Sequence, residues 1–185
     1  MVLLEAFYND IKKYLDYKDP MTGKSSDWIG HYLESNKVNT ESMYCRGFLQ
    51  NCELYDTYVR VDMDSAWGSI PEVWDKMGEK YNLNYVYISE EPGNEVYTNS
   101  DVEGRFFSTR YILNYFELDY LELDSETLSK YGELLKELSE ETHYYDDFSD
   151  VMDDFEGFGF IANNIEKLNL FLDKFGIKIY EYSPE

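Results

Sequence analysis

Carboxylate side chains are the groups in this chain that are most clearly placed to do chemistry, and they are concentrated in residues 117–156. These 40 residues hold fifteen acids against Lys130 and Lys136, a local balance of −13. Acids three or four residues apart on a helix lie about 5–6 Å from each other. That distance is of the same order as the charge spacing along a nucleic-acid strand. The pattern therefore indicates a surface that binds basic proteins by imitating a phosphate backbone.

Apolar residues are interleaved with these acids, among them Phe148, Val151 and Phe155, so the segment has what it needs to fold and to hold its charges in place. We expect the partner-binding residues to be acids together with two adjacent tyrosines. They are Glu133, Glu137, Glu140, Glu141, Tyr144, Tyr145, Asp146, Asp147, Asp150, Asp153 and Asp154. A solvated face of an acidic protein is the alternative interpretation at this point.

The same aspartates raise the question of a metal site. Their spacing lacks the alternating oxygen ligands, central glycine and terminal glutamate of a calcium loop. Cys45, Cys52, His31 and His143 do not have the short pairwise spacing of a zinc set. We therefore expect no bound metal and no cofactor.

Sequence signatures of catalysis are missing. There is no Gly-x-Ser-x-Gly motif, Walker motif or dinucleotide fingerprint. The glycine pair Gly157 and Gly159 follows an acid that would repel phosphate, and a turn is the simpler explanation. Asp62 and Asp64 could in principle act as a carboxylate pair, but among 38 acids some pair always looks suggestive. We expect no catalytic residue, and an enzyme is our third interpretation.

The overall charge limits the partners. Sixteen lysines and arginines against 38 acids give a net charge of −22. Direct binding of nucleic acid or of an anionic membrane needs a cationic surface, so neither is expected. Two cysteines cannot build a disulfide framework, and there is no signal peptide or long apolar run. We expect a cytoplasmic protein.

Apolar periodicity predicts the elements that position these groups in the first half of the chain. Helical spacing predicts an amphipathic helix over residues 3–16, ended by Asp19-Pro20 and Gly23, and a second helix that begins at Asp27. From residue 57 the period changes to two, which predicts a strand. Ser69 and Glu72 form a capping box with Pro71 in the first turn of a helix, and residues 83–88 are predicted as a strand.

In the second half, turn signals at residues 91–94 and 99–101 separate β-rich segments. We predict strands over residues 95–98, 105–113, 116–120, 158–161 and 177–182. A helix capped by Asp124 or Ser125 carries Leu128, Leu135 and Leu138, and another, capped by Asn163, runs to Gly176.

Together these elements predict an α+β fold in which helices cover a ferredoxin-like sheet. Residues 57–182 would form this domain, including the acidic segment 117–156, and residues 1–45 would be an N-terminal helical addition. Trp74, Met77, Leu168 and Leu172 are expected to be buried against the sheet.

One stretch of the sequence resembles a known family. The residues concerned are Val59-Arg60-Val61-Asp62, Ser65-Ala66-Trp67, Ile70-Pro71, Val73, Lys80-Tyr81 and Glu90-Glu91-Pro92-Gly93. This order resembles the YubB-type ferredoxin-like domain family of plasmids and phages, in which a strand ending in Ala-Trp leads to a Pro-containing helix, a strand and an acidic-Pro-Gly turn. The sequence departs from the family after Gly93. The resemblance implies the fold and a mobile-element origin, and it implies no catalytic residue.

The charge cluster and the resemblance lead to one functional expectation, because in overall character the chain resembles acidic anti-CRISPR or anti-restriction proteins. We expect a phage or mobile-element accessory protein whose acidic surface binds and inhibits a basic, nucleic-acid-targeting host nuclease, a Cas effector or a restriction enzyme. The alternative is an acidic protein-interaction module of a mobile element with no nuclease target, which is acidic for solubility and pairs with itself or with another mobile-element protein. In either case we expect several of the many tyrosines to serve as anchors in a protein interface. Association into a homodimer stays open.

Overall fold

The structure is a computed structural model, and it describes residues 2–16, 18, 21 and 27–184. Within these residues the fold is mixed α+β, as predicted, with six α-helices and seven short strands. The helices are α1 (Val2–Leu15), α2 (Ile29–Ser35), α3 (Pro71–Tyr81), α4 (Ser125–Ser139), α5 (Phe148–Asp154) and α6 (Ile165–Leu172). The strands are β1 (Gly47–Leu54), β2 (Val59–Ser65), β3 (Ile88–Glu91), β4 (Val96–Asn99), β5 (Tyr111–Leu113), β6 (His143–Tyr145) and β7 (Ile179–Glu181). The chain divides into two compact units, Met1–Tyr85 and Val86–Glu185.

The first unit is built on an antiparallel β1–β2 ribbon with an irregularity between Leu49 and Asn51. Three helices pack with this ribbon around one apolar core, because each places a stripe of apolar residues on one face. Ile11, Ile29, Leu33, Leu49 and Val73 are fully or almost fully buried in that core.

A single carboxylate joins the three helices of this unit. The hydroxyls of Tyr32 and Tyr81 both donate to Asp10 Oδ2, at 3.2 and 2.6 Å. Burial, with Asp10 as the next cause for Tyr32, raises the pKa of both tyrosines, so both hydroxyls keep their protons and remain donors. Burial also raises the pKa of the Cys52 thiol in this core to about 11.

The two N-terminal helices share the core of the first unit. We expected residues 1–45 to be an addition to a domain over residues 57–182, but the compact units divide after Tyr85. The buried side chains of α1 and α2 pack in the same cluster as those of β1 and α3, which explains the difference. The predicted end of the first helix, at Asp19-Pro20 and Gly23, lies outside the described residues.

The second unit contains two antiparallel sheets. β3 and β4 form a hairpin around the 3-10 helix Pro92–Asn94, and a three-stranded sheet has the order β6-β5-β7. A parallel bridge between Thr98 and Ser183 connects β4 to the chain just after β7. α4, α5 and α6 contribute Leu135, Val151, Leu168 and Leu172 to the core of this unit.

Several helix signals in the sequence are confirmed. Asp124 caps α4, where its Oδ1 accepts the Thr127 N–H at 2.8 Å. The chain after α6 ends its helical path at Gly176, which has a φ of 70°. Met77, Leu168 and Leu172 are buried, whereas Trp74 is only partly buried beside the first core.

Other local predictions need correction. The N-cap of α3 is Ile70, which makes no side-chain hydrogen bond, so Ser69 lies one position before the cap at which the capping box had placed it. α2 is preceded by Trp28 instead of Asp27, and α6 is capped by Asn164 instead of Asn163.

Of all the predicted elements, the strands agree least with the structure. β3 begins only at Ile88, and β5 covers only the last three residues of the predicted strand 105–113. 3-10 helices occupy Leu118–Tyr120 and Glu156–Phe158, where strands over 116–120 and 158–161 were predicted. Alternating residues form a strand only where a partner lies alongside, and these segments have no ladder among the described residues.

The ferredoxin-like arrangement is not confirmed. Among the described residues β2 pairs with β1 and β3 pairs with β4, so the two strands that flank α3 belong to different sheets.

Candidate protein-binding surface

Helix α4 presents part of the acidic segment. Its apolar side buries Leu135 and Leu138, which leaves Glu133 and Glu137 exposed, one helical turn apart. Hydrogen bonds from the backbone N–H and hydroxyl of Thr127 lower the pKa of the capping residue Asp124. The start of this helix therefore carries a charged carboxylate, which is also favourable for the helix dipole.

The remaining predicted residues lie in strand β6, in helix α5 and in the short segments before each of them, and neither element was predicted from the sequence. Asp147 caps α5, where its Oδ1 accepts the backbone N–H groups of Ser149 at 2.7 Å and Asp150 at 3.1 Å. The Ser149 hydroxyl, followed by these N–H groups, lowers the pKa of Asp147. Burial of Val151 turns Asp150, Asp153 and Asp154 outward.

The charges of this segment have little compensation. All fifteen acids of residues 117–156 are exposed. Among the described residues, none of them lies within 4 Å of a lysine or arginine nitrogen. Asp154, one of these acids, contacts a histidine instead: its Oδ2 lies 3.4 Å from His143 Nδ1. The segment is therefore a cluster of exposed carboxylates on folded elements, and its negative charge attracts cations over a distance.

Six of the predicted residues meet around a pocket of about 500 Å³. They are Glu141, Tyr144, Tyr145, Asp150, Asp153 and Asp154, joined by Thr142 and His143. Glu133, Glu137, Glu140, Asp146 and Asp147 do not line this pocket. The acidic surface thus has a concave part at β6 and α5, and the remaining acids lie outside it.

The two predicted tyrosines have different environments. The ring of Tyr144 is 53% exposed, whereas Tyr145 is buried and donates its hydroxyl to Asp154 Oδ2 at 2.9 Å. Burial, followed by the charge of Asp154, raises the pKa of Tyr145. The Tyr144 ring is therefore open to solvent, while Tyr145 orients a carboxylate.

His143 was not predicted as part of the site. Its Nε2 is buried and has no hydrogen-bond partner among the described residues, while its Nδ1 faces Asp154. A signal in the sequence was available, since His143 adjoins the predicted Tyr144.

A second group of tyrosines uses its hydroxyls within the second unit. Tyr182 donates to Glu90 at 2.6 Å, and Tyr180 donates to Glu95 at 2.8 Å. Burial raises the pKa of both tyrosines. Lys178 also contacts Glu95, at 2.8 Å. This tyrosine-rich face is satisfied internally, so it offers fewer polar groups to a partner than its composition suggests.

The charge is divided unequally between the two units. Residues 1–85 carry fourteen acids and nine basic residues, a net charge of −5, and residues 86–185 carry 24 acids and seven basic residues, a net charge of −17. The second unit, which bears the acidic segment, therefore carries most of the net negative charge.

Two further observations bear on the class of protein. Among the described residues, no three His, Cys, Asp or Glu side chains are placed to share a metal ion. Within the same residues, no helix is both long and apolar enough to span a membrane.

Comparison of the chain with protein-family models, curated proteins and solved structures found no significant match in any of the three.

Proposed function

We propose that the protein is a phage or mobile-element accessory protein that binds and inhibits a nucleic-acid-targeting host defence nuclease by imitating nucleic acid. The partner is a basic, cytoplasmic protein of the Cas-effector or restriction-enzyme kind, and the chain acts as a binding protein and not as an enzyme. Defence nucleases of the Cas type hold nucleic acid in a positively charged channel, which is the complementary surface.

One observation carries this proposal: fifteen exposed acids lie on folded elements and have no lysine or arginine nitrogen within 4 Å among the described residues. A solvated surface that served only solubility would gain from interspersed cations, because these relieve repulsion. In this segment the carboxylates keep their mutual repulsion, and binding of the segment in a basic channel would relieve it.

The resemblance to the YubB-type family belongs to the same proposal. The element order β2, α3, β3 and the turn at Pro92–Asn94 supports it, because a strand, a helix that starts with proline, a strand and an acidic-Pro-Gly turn follow one another as in that family.

The test replaces five acids together, the two between β6 and α5 and three within α5, and the product is called the α5 variant. The variant carries Asp146→Asn, Asp147→Asn, Asp150→Asn, Asp153→Asn and Asp154→Asn. Asparagine also caps helices and offers an amide oxygen to Tyr145, so α5 should keep its start. We expect the variant to fold and to bind purified defence nucleases, namely guide-loaded Cas9-type effectors and restriction endonucleases, about tenfold or more weakly, because single exposed contacts are modest and five act together.

A matched control removes the same number of charges from the first unit. It carries Glu5→Gln, Glu34→Gln, Glu41→Gln, Asp56→Asn and Glu72→Gln, all at exposed positions. This control should inhibit DNA cleavage as well as the parent does at physiological salt. If the α5 variant also does so, or if the parent inhibits none of the nucleases, the proposal is wrong.

A further inference from the structure

The outer edge of strand β2 is unpaired among the described residues. Ala66, one residue beyond β2, donates its N–H to the Arg46 carbonyl at 2.9 Å, which identifies the even-numbered residues of β2 as those bonded to β1. Because backbone groups alternate along an antiparallel strand, Val59, Val61 and Met63 direct theirs away from β1. Within the described residues, none of these three forms a backbone hydrogen bond on that side.

The opposite edge of the same ribbon, along β1, is covered. Leu49 donates its N–H to the Asp27 carbonyl at 2.8 Å, and Trp28 is bridged to Phe48. β2 itself contains no proline, and the irregularity of the ribbon lies in β1. An edge strand without such an interruption can accept a further strand. Within the described residues, the ribbon is therefore open along β2.

The order of charges along β2 fits a second copy of the same strand. When two β2 strands pair antiparallel about a two-fold axis at Val61, Arg60 of each copy lies opposite Asp62 of the other. Val59 then faces Met63 of the other copy, so the outward backbone groups of both strands meet. The positions of Arg60 and Asp62 are non-hydrogen-bonded pairs, in which side chains approach most closely and opposite charges are favourable.

The same charges disfavour other registers. A shift by two residues in either direction places Arg60 opposite Arg60 or Asp62 opposite Asp62, and like charges directly opposite each other are destabilising. The two side chains are 56% and 38% exposed, and within one chain Arg60 Nε contacts Asp62 Oδ1 at 2.9 Å. Pairing about Val61 therefore gives each charge a second partner of opposite sign.

The turn after β2 presents an aromatic side chain. Trp67 is 73% exposed and has a φ of 69°, in the left-handed region that large side chains rarely adopt. The Ser65 hydroxyl donates to the Gly68 carbonyl across this turn at 2.5 Å. The two-fold axis at Val61 brings the turn next to the beginning of β2 in the second copy, where Tyr55 is 41% exposed. Strained backbone of this kind is typical of functional positions.

We propose that the protein forms a homodimer in which two β2 strands pair antiparallel about Val61, so that the two ribbons become one continuous sheet. A second copy is the occupant that fits, because the charges of β2 are complementary to themselves in this register. The net charge of the first unit is −5, against −17 for the second unit, so two copies repel each other least at the ribbon. This inference goes beyond the proposed function and does not depend on it.

The test measures the dimer dissociation constant of the full chain by analytical ultracentrifugation at physiological salt. Arg60→Asp should raise this constant about tenfold or more, because two pairs of opposite charges become two pairs of like charges. Arg60→Asp with Asp62→Arg should restore the dimer, because it exchanges the charges and keeps the pairing. The matched control is Lys76→Asp on α3, which makes the same change of charge and also breaks an ion pair, with Glu79 at 3.0 Å. The control should dimerise like the parent.

Two further variants test the backbone edge and the turn. Val61→Pro removes an N–H that points away from β1, and proline is tolerated on an edge strand, so the variant should fold and be monomeric. Trp67→Gly should weaken the dimer without lowering the melting temperature of the monomer, because glycine adopts a positive φ at no steric cost. Circular dichroism follows the fold of both variants.

The outcomes are distinct. A parent that stays monomeric up to submillimolar concentration would overturn the inference. A dimer that Arg60→Asp leaves as tight as the parent would overturn it as well, since another surface would then hold the copies together. If Val61→Pro fails to fold, the exchange of Arg60 and Asp62 still decides, because a double variant that does not regain the dimer contradicts the register.

Discussion

At the scale of single residues, Asp101 shows how one buried carboxylate can organise a segment. Burial acts to raise the pKa of Asp101, but hydrogen bonds from the N–H groups of Phe106, Phe107 and Arg105, together with the charge of Arg110, outweigh it and lower the pKa. A carboxyl whose pKa is lower in the folded state stabilises the fold above its ordinary pKa, and this stabilisation is lost as the pH falls through the folded pKa.

We therefore predict that Asp101→Asn lowers the melting temperature at pH 7, and that the difference from the parent shrinks below about pH 4, where carboxyls take up protons. Thermal unfolding followed by circular dichroism from pH 2.5 to 7 measures this. Glu103→Gln, at a side chain that is 68% exposed, is the control and should change little. A constant difference at every pH would show that the charge of Asp101 does not matter.

At the scale of elements, α6 offers a direct test of how the second core is packed. Leu168 is fully buried, whereas Leu170 on the same helix is 79% exposed. Leu168→Ala should cost about 2–5 kcal/mol of unfolding free energy, since it removes packed atoms and leaves a cavity. Leu170→Ala, the same chemical change, should stay within about 0.5 kcal/mol. Urea unfolding gives both values, and equal losses would mean that α6 does not pack as described.

Elements also show what the sequence could and could not predict. The helices α1, α4 and α6 were predictable, because apolar spacing and caps are local signals. β1 was missed, because its alternation of buried and exposed residues is broken by the irregularity between Leu49 and Asn51. The exposure of the acids was predictable, because charged residues face water on any fold. The path of the chain between β4 and β5 was not predictable, because it depends on Asp101 meeting residues five and six positions away.

At the scale of the whole molecule, the net charge of −22 should make stability depend on salt. Repulsion between exposed carboxylates is screened as the Debye length falls from about 30 Å at 0.01 M to about 10 Å at 0.1 M. We predict a melting temperature that rises by several degrees between 0.01 and 0.5 M NaCl. The α5 variant should rise less than the variant with five changes in the first unit, because the repulsion is concentrated in residues 86–185. Calorimetry measures the melting temperatures of the parent and of both variants, and a melting temperature that does not change with salt would contradict this prediction.

The burial of Cys52 has a consequence for following motion in this molecule. Both thiols lie in the first unit, where Cys45 is partly exposed and Cys52 is buried with its pKa raised to about 11. At neutral pH a thiol reagent therefore reaches one sulfur in the closed protein and the other only when that unit opens. Since residues 86–185 contain no cysteine, the rate at which Cys52 is labelled reports the opening of the first unit and gives no information on the second unit.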